Sequence, residues 1–583
     1  MTRPSQAARP SLATHNRGEL LERLEHETFD IVIVGGGITG AGIARDAALR
    51  GLSVALLEKG DFASGTSGRS SRLIHGGLRY LRYRQVRLVR EALRERGRLL
   101  RLAPHLVRRL PFVLPIFDDS RDSPLVLRIG LVGYDLLAGT LGIGRHHAMS
   151  KGALTVAEPQ LRKQGLRAGI RYFEALTDDA RLTLAVILSA VRQGAAALNY
   201  VEAVGLEKTG GRVAGVHYRD AMGGGEGTVR ARVVVSAAGP WTDQVRALAG
   251  ESGLLRPTKG IHVVVPRARL ATNAIVAIGS GDRMLFAVPQ GQHTYIGTTD
   301  TDYAGEPGEA EAGKGDVAYV LDAANGAFDV DLRTSDVVAT WVGVRPLLHG
   351  EGTPSDVARD YVIMDGPPGL VTITGGKLTT FRSMAEHLLD YVIEREGQHF
   401  AKQLGACRTA SEPLPGGDTS DFVQYQARVV PELREARDLP DDAARRLVEV
   451  YGTEHARVAA CADGRPELLE PLMPGCPALA VEAVYAAHDE MALTLEDFLR
   501  RRSGLMLFGG GGCREVATAA ARVMAEALGW DPEETQRQLT LYQAAVERMF
   551  AFRRDAAAGD TAVRGKPVEA GGSPASRGGS DFG

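Results

Sequence analysis

Three glycines and one acid are the first residues from which chemistry can be read. Gly35, Gly37 and Gly40 fill a G-x-G-x-x-G spacing directly after the apolar run Asp30 to Val34. Glu58 closes the next apolar run, SVALL, about 20 residues beyond the glycines. The first glycine permits a tight turn, the second lets the backbone approach a pyrophosphate, and the third lets strand and helix pack closely, with the helix N-terminus facing the phosphates. Glu58 stands where a carboxylate accepts hydrogen bonds from an adenosine ribose, which argues for an unphosphorylated ribose. Strand, helix, strand and acid together specify a dinucleotide site and leave FAD and NAD equally open.

The elements that must position this site are distributed along the chain. Ala231 to Ala238 is a second buried-strand run, closed by Gly239, Pro240 and Trp241, of the kind that returns to a central sheet and whose turn closes over a cofactor. Between Lys259 and Arg345, short alternating segments such as IHVVVP, RMLFAVPQ and TYIGTTD predict an antiparallel sheet. The run Gly369 to Val392 reads as strand, glycine turn (Gly375, Gly376) and amphipathic helix, whose N-terminus can face a polar or anionic ligand group. The fold class expected is therefore α/β: a Rossmann-type domain assembled from discontinuous pieces, interleaved with an antiparallel-sheet substrate domain over residues 27–400. A helical C-terminal domain follows over 401–554. Residues 1–26 read as a flexible arm, with a helical stretch around Leu20 to Leu24 leading into the first strand, and 555–583 as a disordered tail.

After Tyr80, apolar positions at Val86, Val89, Leu93 and Leu99 to Leu102 predict a helix that Pro104 ends, and many arginines interleave with them. Those arginines read as a solvated face, with attraction to anionic lipid headgroups as the functional alternative. Residues 123–144 are apolar but broken by Arg128, Asp135 and glycines, which favours core packing or a loop over a pocket above a shallow membrane contact.

The 583 residues, 44% apolar and with a formal net charge of -2, exclude a disordered or fibrous chain and give no global basic field for nucleic acid. A small-molecule partner is expected. Cys407, Cys461, Cys476 and Cys513 are widely spaced without metal-ligand spacing, so no metal site is expected and the thiols read as reduced. The N-terminal residues lack a signal-peptide apolar core, and no run is long enough to span a bilayer. The expected place is the cytoplasm, free or resting on the cytoplasmic face of the inner membrane.

At GTSGRSSRLIHGGLRYL the sequence becomes specific. With VGGGITGAGIARDAALRG, AAGPW, KGIHVVVP, IGTTD, GVRPL, ARDY, GGKLTTFR and LTLEDFLRRR, it closely resembles the FAD-dependent, quinone-linked glycerol-3-phosphate dehydrogenase family over roughly Phe29 to Leu505, motif by motif in order. The resemblance implies a flavoprotein of D-amino-acid-oxidase-like fold that oxidises sn-glycerol 3-phosphate to dihydroxyacetone phosphate and passes electrons to a quinone. It assigns Gly35, Gly37, Gly40 and Glu58 to the adenosine diphosphate part of FAD. It places Ser64, Thr66, Ser67, Ser71 and the segment Leu73, His75, Gly76, Gly77 along the remaining cofactor path, with Ala238, Gly239, Leu378 and Thr379 completing the flavin pocket.

Oxidising a secondary alcohol needs a base near the oxygen and the carbon-bound hydrogen held against the flavin. Arg79, Arg345, Arg359 and Lys377 match family positions around the substrate, and guanidinium forks with a lysine point charge suit a phosphate dianion. Which cation grips the phosphate stays open. Tyr80 can add a phenolic hydrogen bond, Arg345 is the candidate for polarising the alcohol oxygen, and Lys377 for stabilising negative charge on the reduced flavin. His262 is the base candidate because an ordinary imidazole pKa lies near the working range, although an isolated strand histidine is more often structural. His75 competes for that role from a loop better suited to the cofactor.

Three rival readings accompany this one. A glycerol-phosphate oxidase would share fold and substrate but reduce oxygen, another amine or hydroxy-acid oxidase would share the fold but is disfavoured by the cluster of cations, and a non-catalytic flavin-binding protein would use its helical region for a partner. The C-terminal helices are also expected to mediate a homodimer or to cap the site, without a heptad pattern to specify either.

Overall fold

The computed structural model describes residues 16–82, 85–120, 124–280, 283–349, 361–400 and 403–554. Residues up to Phe552 form one compact unit and Arg553–Gly583 a second. The helical C-terminal region therefore belongs to the same unit as the sheets, and the expected tail 555–583 lies outside the described residues.

Thr28–Val34 buries six consecutive residues, the mark of a strand covered on both faces. It pairs in parallel with Val54–Leu57 on one side and with Glu226–Ser236 on the other. Beyond these lie Ala196–Leu198, parallel to Val54–Leu57, and Leu370–Gly375, parallel to Glu226–Ser236. Tyr361–Asp365 closes that edge in antiparallel pairing. Helix Ile38–Leu49 crosses this sheet pressed between helices Asp179–Val191 and Phe381–Glu396. Its run of alanines and glycines follows from that crowding: a Cβ on Gly42 would sit 3.0 Å from the Phe381 ring.

The second sheet has ten strands among the described residues. Leu255–Pro266 is its spine, antiparallel to His293–Gly297 and to Ala339–Leu348. Arg283–Gln290, Ile275–Ser280, Val107–Phe117 and Leu166–Thr177 continue it, and the two-residue strand Leu73–Ile74 joins its far edge by pairing with Leu176 and Ala175. The cofactor loop is thus stitched into the second sheet.

Three segments differ from the sequence-based expectation. The polar start was expected as a flexible arm with a helical stretch around Leu20 to Leu24; the helix is there, Arg17–His26, and its fully buried Leu24 fixes it to the core. Its Arg17 guanidinium meets Asp220 at 2.5 Å. Residues 123–144, expected as core or loop, contain helix Pro124–Ala138, which buries Leu131, Tyr134 and Ala138 and exposes Val126, Ile129, Val132 and Leu136. The region from Glu412 is helical as expected, but a wide π-type turn forms at Asp497–Arg502 within LTLEDFLRRR.

Candidate functional site: a dinucleotide cradle and a cationic wall

The glycine turn has no room for side chains. Gly35 takes φ +115°, and a Cβ there would lie 2.6 Å from the carbonyl oxygen of Ala237. A Cβ on Gly40 would lie 1.9 Å from the Gly35 oxygen, so helix and turn touch at that point. A Cβ on Gly37 would lie 3.0 Å from Ser67 Oγ, which accepts the Ile38 N–H at 2.9 Å and so caps the phosphate-facing helix.

Both Glu58 oxygens serve the turn. Oε2 accepts the Gly36 N–H at 2.7 Å and Oε1 the Gly60 N–H at 2.8 Å. Burial pushes this carboxyl up, and the two N–H groups oppose that. A carboxylate has about four acceptor positions, so each oxygen keeps one for a ribose hydroxyl. The cradle fits the adenosine diphosphate of FAD.

The loop 64–77, expected to line the remaining cofactor path, is tied to its surroundings at several points. Ser64 donates its N–H to the Asp61 oxygen at 3.0 Å, and Thr66 Oγ1 donates to the Val344 carbonyl at 2.6 Å, tying the loop to the second sheet. His75 N–H reaches Thr379 Oγ1 at 3.1 Å, which brings the loop against the turn Leu378–Thr380. Gly76 donates to Glu174 Oε2 at 3.3 Å, and a Cβ there would strike the Tyr134 hydroxyl. Gly77 takes φ +74° beside the Tyr80 ring. On the opposite wall Gly239, after Ala238, takes φ +54° and its carbonyl accepts the Thr242 hydroxyl at 2.7 Å.

Among the cations expected at the substrate, Lys377 places its ammonium 3.6 Å from the centroid of the Tyr80 ring. Arg345 is oriented by three acceptors: Thr298 Oγ1 and Asp300 Oδ1, both at 3.1 Å, and the Thr299 carbonyl at 3.2 Å. Gly260 makes room for this, since a Cβ there would lie 2.6 Å from the guanidinium. The strand bearing Arg345 packs against Leu370–Gly375, the Gly239–Trp241 turn and the Thr66–Gly68 turn. Arg79 opens the short helix Arg79–Arg82 ahead of Tyr80, and Arg359 lies outside the described residues.

His262 is 2% exposed, with Nε2 placed 2.8 Å from Ser71 Oγ. Burial first, then Arg345 and Arg72, push its pKa well below the ordinary imidazole value. The ordinary imidazole value, which made His262 the base candidate, therefore does not hold for this buried ring. Among the described residues its Nδ1 meets no hydrogen-bond partner.

Several contributors escaped sequence reasoning. Asp300 and Thr298 orient Arg345 from within IGTTD, a motif to which no role was attached. Glu174, held by Arg96 at 2.6 Å and by the Tyr134 hydroxyl, braces Gly76 from a strand that carried no local signal. Arg72, paired with Asp178 at 3.2 Å, fixes the loop next to Ser71.

Comparison with known proteins agrees with this geometry. Residues 30–382 match the family described as FAD dependent oxidoreductase, and residues 407–535 the C-terminal domain of alpha-glycerophosphate oxidase. Glycerol-3-phosphate dehydrogenase 2 of Mycobacterium tuberculosis is 38% identical over 542 residues, covering 92% of this chain and 91% of the relative. The aerobic glycerol-3-phosphate dehydrogenase of Staphylococcus haemolyticus is 36% identical, covering 89% and 94%. The crystal structure of the Bacillus halodurans glycerol-3-phosphate dehydrogenase complexed with FAD superposes with a TM-score of 0.78 at 32% identity, over 93% of this chain and 99% of that one. The cofactor is FAD and the fold is of the D-amino-acid-oxidase type with a helical C-terminal region. Cradle, second sheet and likeness along nearly the whole chain lead to one conclusion: the chain belongs to the FAD-dependent glycerol-3-phosphate dehydrogenase family.

Proposed function

We propose that the protein oxidises sn-glycerol 3-phosphate at its secondary alcohol to dihydroxyacetone phosphate and passes the electrons to a quinone. FAD, when bound, supplies the hydride acceptor. The observation that carries the reading is Arg345, a guanidinium held in one orientation by Thr298, Thr299 and Asp300 on the strand that packs against the cofactor-side turns. In that orientation it polarises the alcohol oxygen, and its fixed dipoles need no rearrangement as charge develops. Lys377, against Tyr80, supplies positive charge toward the reduced flavin, and Arg79 and Arg359 complete the phosphate-binding set. His262, whose Nε2 lies 2.8 Å from Ser71 Oγ, is the residue assigned to take the alcohol proton through that hydroxyl.

A membrane-borne acceptor is supported by the surface. No helix among the described residues is long and apolar enough to cross a membrane. Helix Pro124–Ala138 exposes Val126 (57%), Ile129 (64%), Val132 (46%) and Leu136 (76%) at helical spacing, and a groove at its end is lined by Arg90 and Arg94. Apolar side chains flanked by guanidinium groups match an anionic lipid surface.

The test is anaerobic. Substrate added to the flavin-loaded protein without acceptor should bleach the visible flavin absorbance. Flavin that stays oxidised would sink the reading and favour a non-catalytic flavin-binding protein. Reoxidation faster by oxygen than by a quinone analogue would transfer the chain to the oxidases.

A further inference from the structure

The motif LTLEDFLRRR, Leu493–Arg502, takes no part in the chemistry above, yet its arginines reach the cofactor domain. Arg502 forks onto Asp61, Nη1 to Oδ2 at 2.6 Å and Nη2 to Oδ1 at 2.9 Å, across 441 residues of sequence. Arg501 Nε meets the same carboxylate, and Asn199 Nδ2 donates to Oδ1 at 3.0 Å. Asp61 is 1% exposed and Arg502 2%. Burial alone would raise the Asp61 carboxyl, but Arg502 and Arg501 hold it down to about 2.

Asp61 follows Glu58 by three residues, and the loop between them is held at every step. Gly60 gives its N–H to Glu58 Oε1 and its carbonyl to the Tyr200 N–H, both at 2.8 Å. The Ala63 N–H closes on the Gly36 carbonyl at 3.1 Å, so the same loop rests on the glycine turn. Tyr200, at φ +56°, sends its hydroxyl to Asp497 Oδ1 at 2.8 Å. Asp497 Oδ2 in turn accepts the N–H groups of Leu493 and Thr494, both at 2.9 Å. The π-type turn Asp497–Arg502 thus grips the loop through Asp61 and Tyr200 together, in a conformation that recurs at functional sites. A buried ion cluster of this kind contributes little net stability, because desolvation offsets attraction. What it does specify is geometry.

We propose that Asp61, Arg501, Arg502, Tyr200 and Asp497 form a clasp by which the helical C-terminal region positions Glu58 and so sets the affinity of the adenosine half of FAD. This rests on Glu58 taking the ribose hydroxyls. These are positioning residues, acting through the Glu58–Gly60 loop.

The test is titration of the FAD-free full-length protein with FAD, read by flavin fluorescence and by the FAD dissociation rate, with near-ultraviolet circular dichroism as the check on folding. Arg502→Met should raise the FAD dissociation constant by about tenfold or more. Tyr200→Phe, which removes one hydroxyl and leaves the backbone bond to Gly60, should raise it about threefold. The control is Arg446→Met, which breaks the buried pair with Glu482 at 2.9 Å and a 3.2 Å bond to the Ser503 carbonyl next to Arg502, and so perturbs the same helical region without removing a group of the clasp. It should leave FAD affinity within about twofold. Glu58→Gln separates the two layers of the argument. If it leaves FAD affinity unchanged, the ribose reading fails and the proposal with it. If it weakens binding while folded Arg502→Met and Tyr200→Phe bind as wild type, the clasp alone is overturned, as it is if Arg446→Met weakens FAD as much as Arg502→Met. Should Arg502→Met fail to fold, Tyr200→Phe decides.

Discussion

His262 lies flat against Trp341, ring centroids 4.5 Å apart and planes within 11°, while its Nε2 faces Ser71 Oγ at 2.8 Å. The two rings are cross-strand partners in the antiparallel pair of Leu255–Pro266 with Ala339–Leu348. A Cβ on Gly297, opposite His262 on the other side, would sit 2.4 Å from the imidazole, so the strand is hollowed there for the ring. The imidazole is held in one orientation, with one nitrogen directed at the cofactor loop.

The first prediction concerns that nitrogen. His262→Ala should lower the rate of flavin reduction about a hundredfold or more and change substrate affinity much less. Because burial holds the native pKa well below the ordinary value, the wild-type rate should show no inflection at the usual imidazole pKa near about 6.5. Stopped-flow reduction across a pH series checks both. An inflection there that the variant abolishes would contradict the placement.

The same depression has a consequence for stability. A group whose folded pKa is lowered contributes stability above its unfolded pKa and loses it as pH falls toward the folded value. Unfolding free energy should therefore decline below pH about 6.5, with His262 adding a slope of at most about 1.4 kcal/mol per pH unit. Denaturant unfolding of the wild type and of His262→Gln should show the shallower acid slope in the variant.

Arg345→Lys should not be conservative. Lysine cannot reach Thr298 Oγ1, the Thr299 carbonyl and Asp300 from one planar group, so the charge survives without its orientation. A loss of about a hundredfold in the efficiency of anaerobic flavin reduction is expected. Turnover near that of the wild type would remove Arg345 from the reacting oxygen.

Gly40→Ala should abolish flavin loading in protein that is otherwise expressed. The added methyl would fall 1.9 Å from the Gly35 oxygen, and only a shift of the turn could relieve it. Visible absorbance of the purified variant is the readout, and a yellow protein with a normal flavin ratio would show that the turn yields.

For the exposed helix face, Ile129→Asp with Leu136→Asp should weaken sedimentation with vesicles of phosphatidylglycerol while leaving anaerobic reduction by substrate intact. Each side chain is worth about 1 kcal/mol or more of burial in lipid. Equal sedimentation of variant and wild type would assign the face to another role.

What could be read from sequence, and what could not, divides along the range of the signal. The glycine turn, its strand and Glu58 are legible because the cradle is local: Gly36 and Glu58 meet across a single strand–helix–strand unit. The antiparallel sheet is legible in outline, because alternation survives in IHVVVP and TYIGTTD. The helix at the start was legible around Leu20 to Leu24 but its anchoring was not: Arg17 is tied to Asp220, a partner 203 residues away, and Leu24 is buried. His262 was seen as a base without the burial and the Arg345 and Arg72 charges that lower its pKa, since periodicity within one strand carries no information about the next. The cations were legible as residue types, while Asp300, which orients one of them, was not.

The strand Leu370–Gly375 sits beside Glu226–Ser236 in the central sheet, and the turn that follows it carries Lys377 and meets His75 through Thr379. Biosynthesis must accommodate that order. A nascent chain ending before residue 370 has already made the glycine turn and Glu58 but has no wall opposite the loop of His75. A flavin pocket closed on both sides therefore requires a chain that extends past Thr379, and chains truncated before residue 370 are expected to be colourless.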